Sequence, residues 1–154
     1  MKVEFINPFI ASLKNVIGTM AQIDLVVQKP QKKGDELARG EVSGIIGMIG
    51  PQVKGSMAIT FDKALATSIM KNMLGEVTNS IDDEVRDMVG EMTNMICGGA
   101  KSSLAEQNYD FELATPVIVS GADHTIQHKV DGPKIILTFA SPSGNAYLEI
   151  CFDK

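Results

Sequence analysis

From Asp87 to Lys101 the chain reads Asp-Met-Val-Gly-Glu-Met-Thr-Asn-Met-Ile-Cys-Gly-Gly-Ala-Lys, setting two carboxylates, a carboxamide and an ammonium group at helical spacing. With Val85 at zero and about 100° per residue, Val89, Met92, Ile96 and Ser103 fall within about 40° and form the expected buried stripe. Asp87, Glu91, Asn94, Gly98 and Lys101 lie opposite, between about 160° and 240°. Asp87, Glu91 and Asn94 thus share a solvent face at i, i+4 and i+7. A carboxamide is no useful base, but its oxygen accepts and its NH2 donates, so it can orient a water molecule. The pattern by itself names no reaction.

Two features of this face are unusual for a solvated helix. Asn is about 0.6 kcal/mol worse than Ala in a helix interior, and Gly is about 1 kcal/mol worse. Yet Asn94 stands between Gly90 and Gly98, one turn away on either side, where Glu, Lys, Gln or Ala is the usual choice. Helix stability is given up, and another protein's surface could press close with only Asn94 projecting into it. The plainer alternative is that Gly98-Gly99 ends the helix, leaving Asn94 at a frayed terminus and Glu91 an ordinary surface acid.

The surrounding elements follow from the same kind of signal. Asn7-Pro8 reads as an N-cap and first helical residue, and the apolar spacing from Ile6 to Met20 carries that helix to about Ala21. Ile23 to Gln28 reads as a strand stopped by Pro30 and the Gly34 loop. Ala38 to Ile49 and Val53 to Phe61 flank a Gly50-Pro51-Gln52 turn. Asp62 caps a helix carrying Leu65, Ile69, Met70 and Met73 and ending at Gly75. Ser80 to Asp83 has capping-box spacing and opens the longest helix, to about Leu104. Phe111 to Ser120, Lys134 to Ala140 and Ala146 to Phe152 read as strands, the last two joined by the turn Ser141 to Asn145. Strands in blocks between helices give an α+β fold with mostly antiparallel pairing. No repeat or internal boundary stands out, so residues 1–154 are expected to form one domain.

Composition narrows the function. The 154 residues are 44% apolar and 21% charged, typical of a soluble globular chain. A net charge of −5 without a Lys/Arg cluster argues against nucleic acid. Lys29 to Lys33 reads as a solvated turn. No apolar run approaches the ~20 residues of a membrane span, and the N-terminus does not resemble a signal peptide. Two cysteines make neither a disulfide framework nor a metal cluster, so a cytoplasmic location is expected.

Asp87-x3-Glu91-x2-Asn94, continued as Met95-Ile96-x-Gly98-x-Ala100-Lys101, resembles the signature of the CheC/CheX/FliY chemotaxis phosphatases. Asn7-Pro8-Phe9-Ile10 with Thr19-Met20 is similar to the first helix of the CheX branch. Val42 to Gly47 with Gly55-Ser56-Met57 looks like its central hairpin, and Thr115-Pro116 before Val117-Ile118-Val119 like the strand after the active helix. The resemblance covers nearly the whole chain. It implies antiparallel sheet packed with a long active-site helix and two further helices, and a homodimer joined through sheet edges. It implies as substrate the phospho-aspartate of a CheY-like response regulator. Asn94 would then enter the regulator's active site, and Glu91 would engage the regulator's conserved lysine. Asp87, Gly90, Gly98 and Lys101 would form the docking surface around them. The CheC branch carries the motif twice; here Glu4-x-x-Asn7 has the spacing, but the capping role of Asn7 before Pro8 explains it, and one site per chain fits CheX.

Acyl-phosphate hydrolysis needs a water held in line with the scissile P–O bond, and positioning is most of the catalysis. Mg²⁺ and the phosphate cradle would belong to the regulator, so no metal ligands are expected in this chain. His124 and His128, with Asp123 and Asp131 nearby, read as a solvated connector rather than a metal pair. Gly40, Gly44, Gly47 and Gly50 lack the phosphate-loop pattern and suggest a bent or bulged strand. Cys97 falls beside the polar face and reads as a passive thiol. Two rivals remain open: a non-catalytic adaptor that docks a partner on the same face, and a structural homodimer.

Overall fold

The structure, a computed structural model, describes residues 3–32, 40–51, 54–75, 79–121, 124, 126, 128 and 132–152. Helix α1 spans Val3–Ala21 and buries Ile6, Phe9, Leu13, Val16, Ile17 and Ala21. It begins four residues before Asn7, which is therefore an exposed residue inside the helix and not its cap. Packing overrides the Asn-Pro start signal: the Phe5 ring lies 4.6 Å from that of Tyr109 and 5.2 Å from that of Phe152, which draws the preceding turn into the helix. Pro8, inside the helix, lacks the N–H that would bond the Glu4 carbonyl, and its ring crowds that carbonyl.

Helix α2, Lys63–Leu74, is capped as its sequence suggests. The Leu65 N–H donates to Asp62 Oδ1 at 2.8 Å, and Gly75 ends the helix at φ 71° with its N–H on the Lys71 carbonyl. Asp62 Oδ2 also accepts from the Asn145 N–H at 2.9 Å, tying the helix start to the last hairpin. Helix α3 spans Asp83–Ala105. Its N-cap is Asp82, which accepts from the Val85 N–H at 2.9 Å, two residues later than the Ser80 box suggests.

The strands are β1 (Val26–Val27), β2 (Gln31–Lys32), β3 (Val42–Ile49), β4 (Lys54–Phe61), β5 (Glu112–Leu113), β6 (Val117–Ser120), β7 (Lys134–Ser141) and β8 (Gly144–Phe152). They form one eight-stranded sheet in which all the described pairings are antiparallel. The stretch expected as one strand from Phe111 to Ser120 is broken at Pro116, which has no N–H to donate, into β5 and β6. Gln31 and Lys32, expected in a solvated turn, pair with β7. Gly34 and Lys33 lie outside the described residues.

The element order repeats. A helix, two short strands and a hairpin, α1-β1-β2-β3-β4, are followed after α2 by α3-β5-β6-β7-β8. The short strands of each half pair with the other half's hairpin, β1 and β2 with β7, β5 and β6 with β3. β4 and β8 join the halves antiparallel. The chain thus has an internal two-fold arrangement that the sequence does not announce, with α2 as the element that has no counterpart. Phe5 of α1 meets Tyr109 just beyond α3, and Ser12 donates to the Ile96 carbonyl at 2.6 Å, so α1 and α3 run antiparallel.

The helices cover one sheet face, packing on Val42, Ile46, Met57, Ile59, Leu137, Phe139 and Leu148. The other face is polar yet buried at Ser43, Ser56, Thr60 and Glu149. His124 and His128 lie against it and are not solvated. His124 Nε2 shares a 2.6 Å hydrogen bond with the Ser43 hydroxyl, and the His124 Nδ1 pairs with the Gly121 carbonyl. His128 bonds the Ser56 hydroxyl and reaches Glu149 Oε1 at 3.2 Å. Buried hydroxyls and a carboxylate on a sheet need partners, and the two imidazoles supply them. Asp123 and Asp131 lie outside the described residues.

Candidate functional site

Helix α3 is fixed from behind along its length. Val85, Val89, Met92, Ile96, Ala100 and Leu104 are fully buried. Thr93 donates to the Val89 carbonyl at 2.7 Å and lies directly over Gly44 of β3, where any side chain would collide with its hydroxyl. That close approach explains Gly44. The register from Val42↔Phe61 to Ile49↔Lys54 is unbroken, so the glycines of β3 mark no bulge against β4. Gly99 faces Ser12 of α1 so closely that a Cβ would overlap its hydroxyl. Arg86 donates to the Ser120 hydroxyl and, at 3.2 Å, to the Ile118 carbonyl, tying the flank of α3 to β6.

The opposite side faces outward, as the helical wheel requires. Asp87, Glu91 and Asn94 are all exposed. The helix runs through Gly98-Gly99 to Ala105, so Asn94 stands in a continuous helix and not at a frayed end. Gly98 has no atom within 4 Å of where a Cβ would stand, and at Gly90 the nearest is Ile118 Cδ1 at 3.6 Å, an ordinary contact. Alanine would fit at either position and favour the helix by about 1 kcal/mol each. Among the described residues, then, internal packing requires Gly99 but neither Gly90 nor Gly98. Lys101 is half-buried.

Two positions differ from the wheel. Ser103, expected in the buried stripe, is exposed, because Ala100 and Leu104 carry the buried contacts of the last turns. Cys97, expected beside the polar face, is fully buried, and burial pushes its thiol up to about 12 while Lys101 pulls it slightly the other way. A thiol so shifted is passive.

The structure also adds residues to the site's border. A groove of about 320 Å³ runs between the end of α2 and the first half of α3, lined by Met73, Leu74, Glu84, Asp87, Met88 and Glu91. Leu74 is 59% exposed at its lip and Met88 forms its floor. No sequence pattern joins Leu74 to Glu91; only the packing of α2 on α3 does. Among the described residues no group of three or more His, Cys, Asp or Glu could hold a metal ion, and no helix is long and apolar enough to cross a membrane.

The arrangement is shared with known proteins. The chemotaxis phosphatase CheX family matches residues 42–140. Over 98% of this chain and 100% of the other, the crystal structure of chemotaxis protein CheX from Vibrio vulnificus is 60% identical, with a TM-score of 0.92. A CheC-like superfamily protein from Shewanella sp. PV-4 is 57% identical over the whole of both chains, with a TM-score of 0.94. The CheX chain of a CheX–CheY–BeF3–Mg²⁺ complex from Borrelia burgdorferi is 25% identical over 99% of this chain and 100% of that one, with a TM-score of 0.80. No curated protein matches the chain. The α+β fold, the three helices on an antiparallel sheet and the similarity across the full length agree, and the chain belongs to the CheX chemotaxis phosphatase family.

Proposed function

We propose that this protein accelerates hydrolysis of the phospho-aspartate of a CheY-like response regulator, with Asn94 and Glu91 as its catalytic pair. One observation carries the reading. Asn94 projects from mid-helix between Gly90 and Gly98, two glycines that the chain's own packing does not need. A face cleared at a cost of about 1 kcal/mol per glycine suits an incoming protein surface, not a solvated helix.

In the proposed step the regulator's phosphoryl group meets the α3 face. Asn94 holds a water by its carboxamide, in line with the bond between phosphorus and the aspartate oxygen. The water oxygen bonds to phosphorus, that P–O bond breaks, the aspartate leaves as a carboxylate, and the water's proton goes to the released phosphate. Glu91, one turn away, engages the regulator's lysine and fixes the register of the two proteins. Asp87, Gly90, Gly98 and Lys101 form the surrounding contact surface. Mg²⁺ belongs to the regulator, and the Borrelia complex, which contains CheY, BeF3 and Mg²⁺, supports that division.

Residues 1–154 act together as one cytoplasmic domain in this reading. It works as a homodimer joined through sheet edges, where Val26 and Val117 present exposed apolar side chains. Sedimentation at micromolar concentration checks the dimer.

The deciding measurement is the dephosphorylation time course of a candidate regulator with and without the protein. Asn94→Ala should retain the fold and lose the acceleration. Unchanged acceleration would remove Asn94 from the mechanism, and a wild type that binds the regulator without accelerating its turnover would make the chain an adaptor.

A further inference from the structure

The internal two-fold arrangement relates α1 to α3, but α2 has no counterpart, and it lies at the end of the helix pair where the Glu91 and Asn94 face begins. Asn72 of α2 donates to the carbonyl of Ala21, at the C-terminus of α1, at 2.8 Å. Because α1 and α3 run antiparallel, that end is the start of α3. There α2 stops abruptly at Gly75, leaving Leu74 at the lip of the groove. The exposed Leu74 stands beside the partly buried Met73 and over the buried Met88, an apolar spot on an otherwise charged rim that suits a partner's apolar side chain.

Resting on the function proposed above, we propose that this groove is a specificity contact for the regulator. It receives an apolar side chain accompanied, within one turn, by a lysine or arginine. Met88 at the floor, Met73 beside it and Leu74 at the lip suit the apolar group, and methionines adapt to its shape. The rim carries Glu84, Asp87 and Glu91, which suit the cation. Glu91 fixes the occupant, since it is at once a wall of the groove and a member of the catalytic pair. A regulator seated with its phosphoryl group at Asn94 therefore lies over the groove's mouth. The volume is at the low end for small-molecule sites, which run from about 300 Å³ upward, and fits a side-chain contact.

The test is affinity separated from turnover. Binding of a beryllofluoride- and Mg²⁺-loaded CheY-like regulator is titrated with wild type, Leu74→Gln, Glu84→Gln and Asn94→Ala, alongside maximal dephosphorylation rates at saturating regulator. Leu74→Gln should raise Kd about five- to tenfold with the maximal rate unchanged. Asn94→Ala should do the reverse. Glu84→Gln should flatten the salt dependence of Kd. A Leu74→Gln Kd within about twofold of wild type overturns the groove as a contact, and a salt dependence unaltered by Glu84→Gln overturns its cationic half. Binding without acceleration by wild type overturns the catalytic reading alone. A wild type that binds no loaded CheY-like regulator overturns both.

Discussion

Helices α1 and α3 lie antiparallel across the same sheet face, and one shift along the chain sets Glu4, Asn7 and Lys14 of α1 on Glu91, Asn94 and Lys101 of α3. In both helices the Glu and the Asn are exposed. The surroundings differ. Asn94 is bracketed by Gly90 and Gly98, whereas the matching positions around Asn7 are Val3 and Ala11. Asn94 is followed by Met95, Asn7 by Pro8. Only the α3 face borders the groove that α2 builds. An acid and an amide at this spacing therefore occur on both helices. What sets α3 apart is the ground cleared around the amide and the wall beside it.

That contrast breaks most sharply at the amides. Asn94→Ala should bring regulator dephosphorylation down to the regulator's own rate, while Asn7→Ala should leave the acceleration intact. Equal losses in both variants, read from phosphate-release time courses, would mean that the two faces work alike.

Gly99→Ala separates packing from docking. Its methyl would overlap the Ser12 hydroxyl where the two helices touch, so unfolding should cost about 1–3 kcal/mol less in a chemical melt. Its neighbour Gly98 should behave oppositely. Gly98→Ala should stabilise the fold by about 1 kcal/mol and reduce acceleration by about tenfold or more, because the added methyl holds the partner off Asn94. The matching change on α1, Ala11→Gly, should destabilise by about 1 kcal/mol and leave activity alone.

The smallest effect belongs to Cys97, on the buried side of α3. An ordinary thiol gains reactivity steadily as pH approaches its usual pKa of 9.0, but burial pushes Cys97 up to about 12. Iodoacetamide labelling of the Cys97 peptide, followed by mass spectrometry between pH 7 and 9, should stay slow until the chain is unfolded. The linkage has a definite sign. The unfolded thiol ionises first, so the contribution of Cys97 to stability is constant well below pH 9.0 and is lost as pH rises from there toward about 12.

Much of this was legible along the chain because it depends on neighbours a few residues apart. The cap at Asp62, the stop at Gly75, the central hairpin and the outward face of Asp87, Glu91 and Asn94 are products of local periodicity and local hydrogen bonds. Boundaries governed by contact with distant residues were not legible. Phe5 packs on Tyr109 and Phe152 and extends α1 past Asn7. His124 and His128 look like loop residues until Ser43, Ser56 and Glu149 are set beneath them.

The sequence alone determined that a carboxylate and a carboxamide share the solvent side of a long helix, since 3.6 residues per turn leaves no other arrangement once the apolar stripe is buried. Only the tertiary structure could distinguish three glycines of that helix from one another. Gly99 is held by Ser12 and cannot enlarge, while Gly90 and Gly98 have room to and do not. It also set Leu74 beside Glu91 and paired the short strands of each half with the other half's hairpin. Such relations arise where segments far apart in sequence meet, and no local pattern of residue types records them.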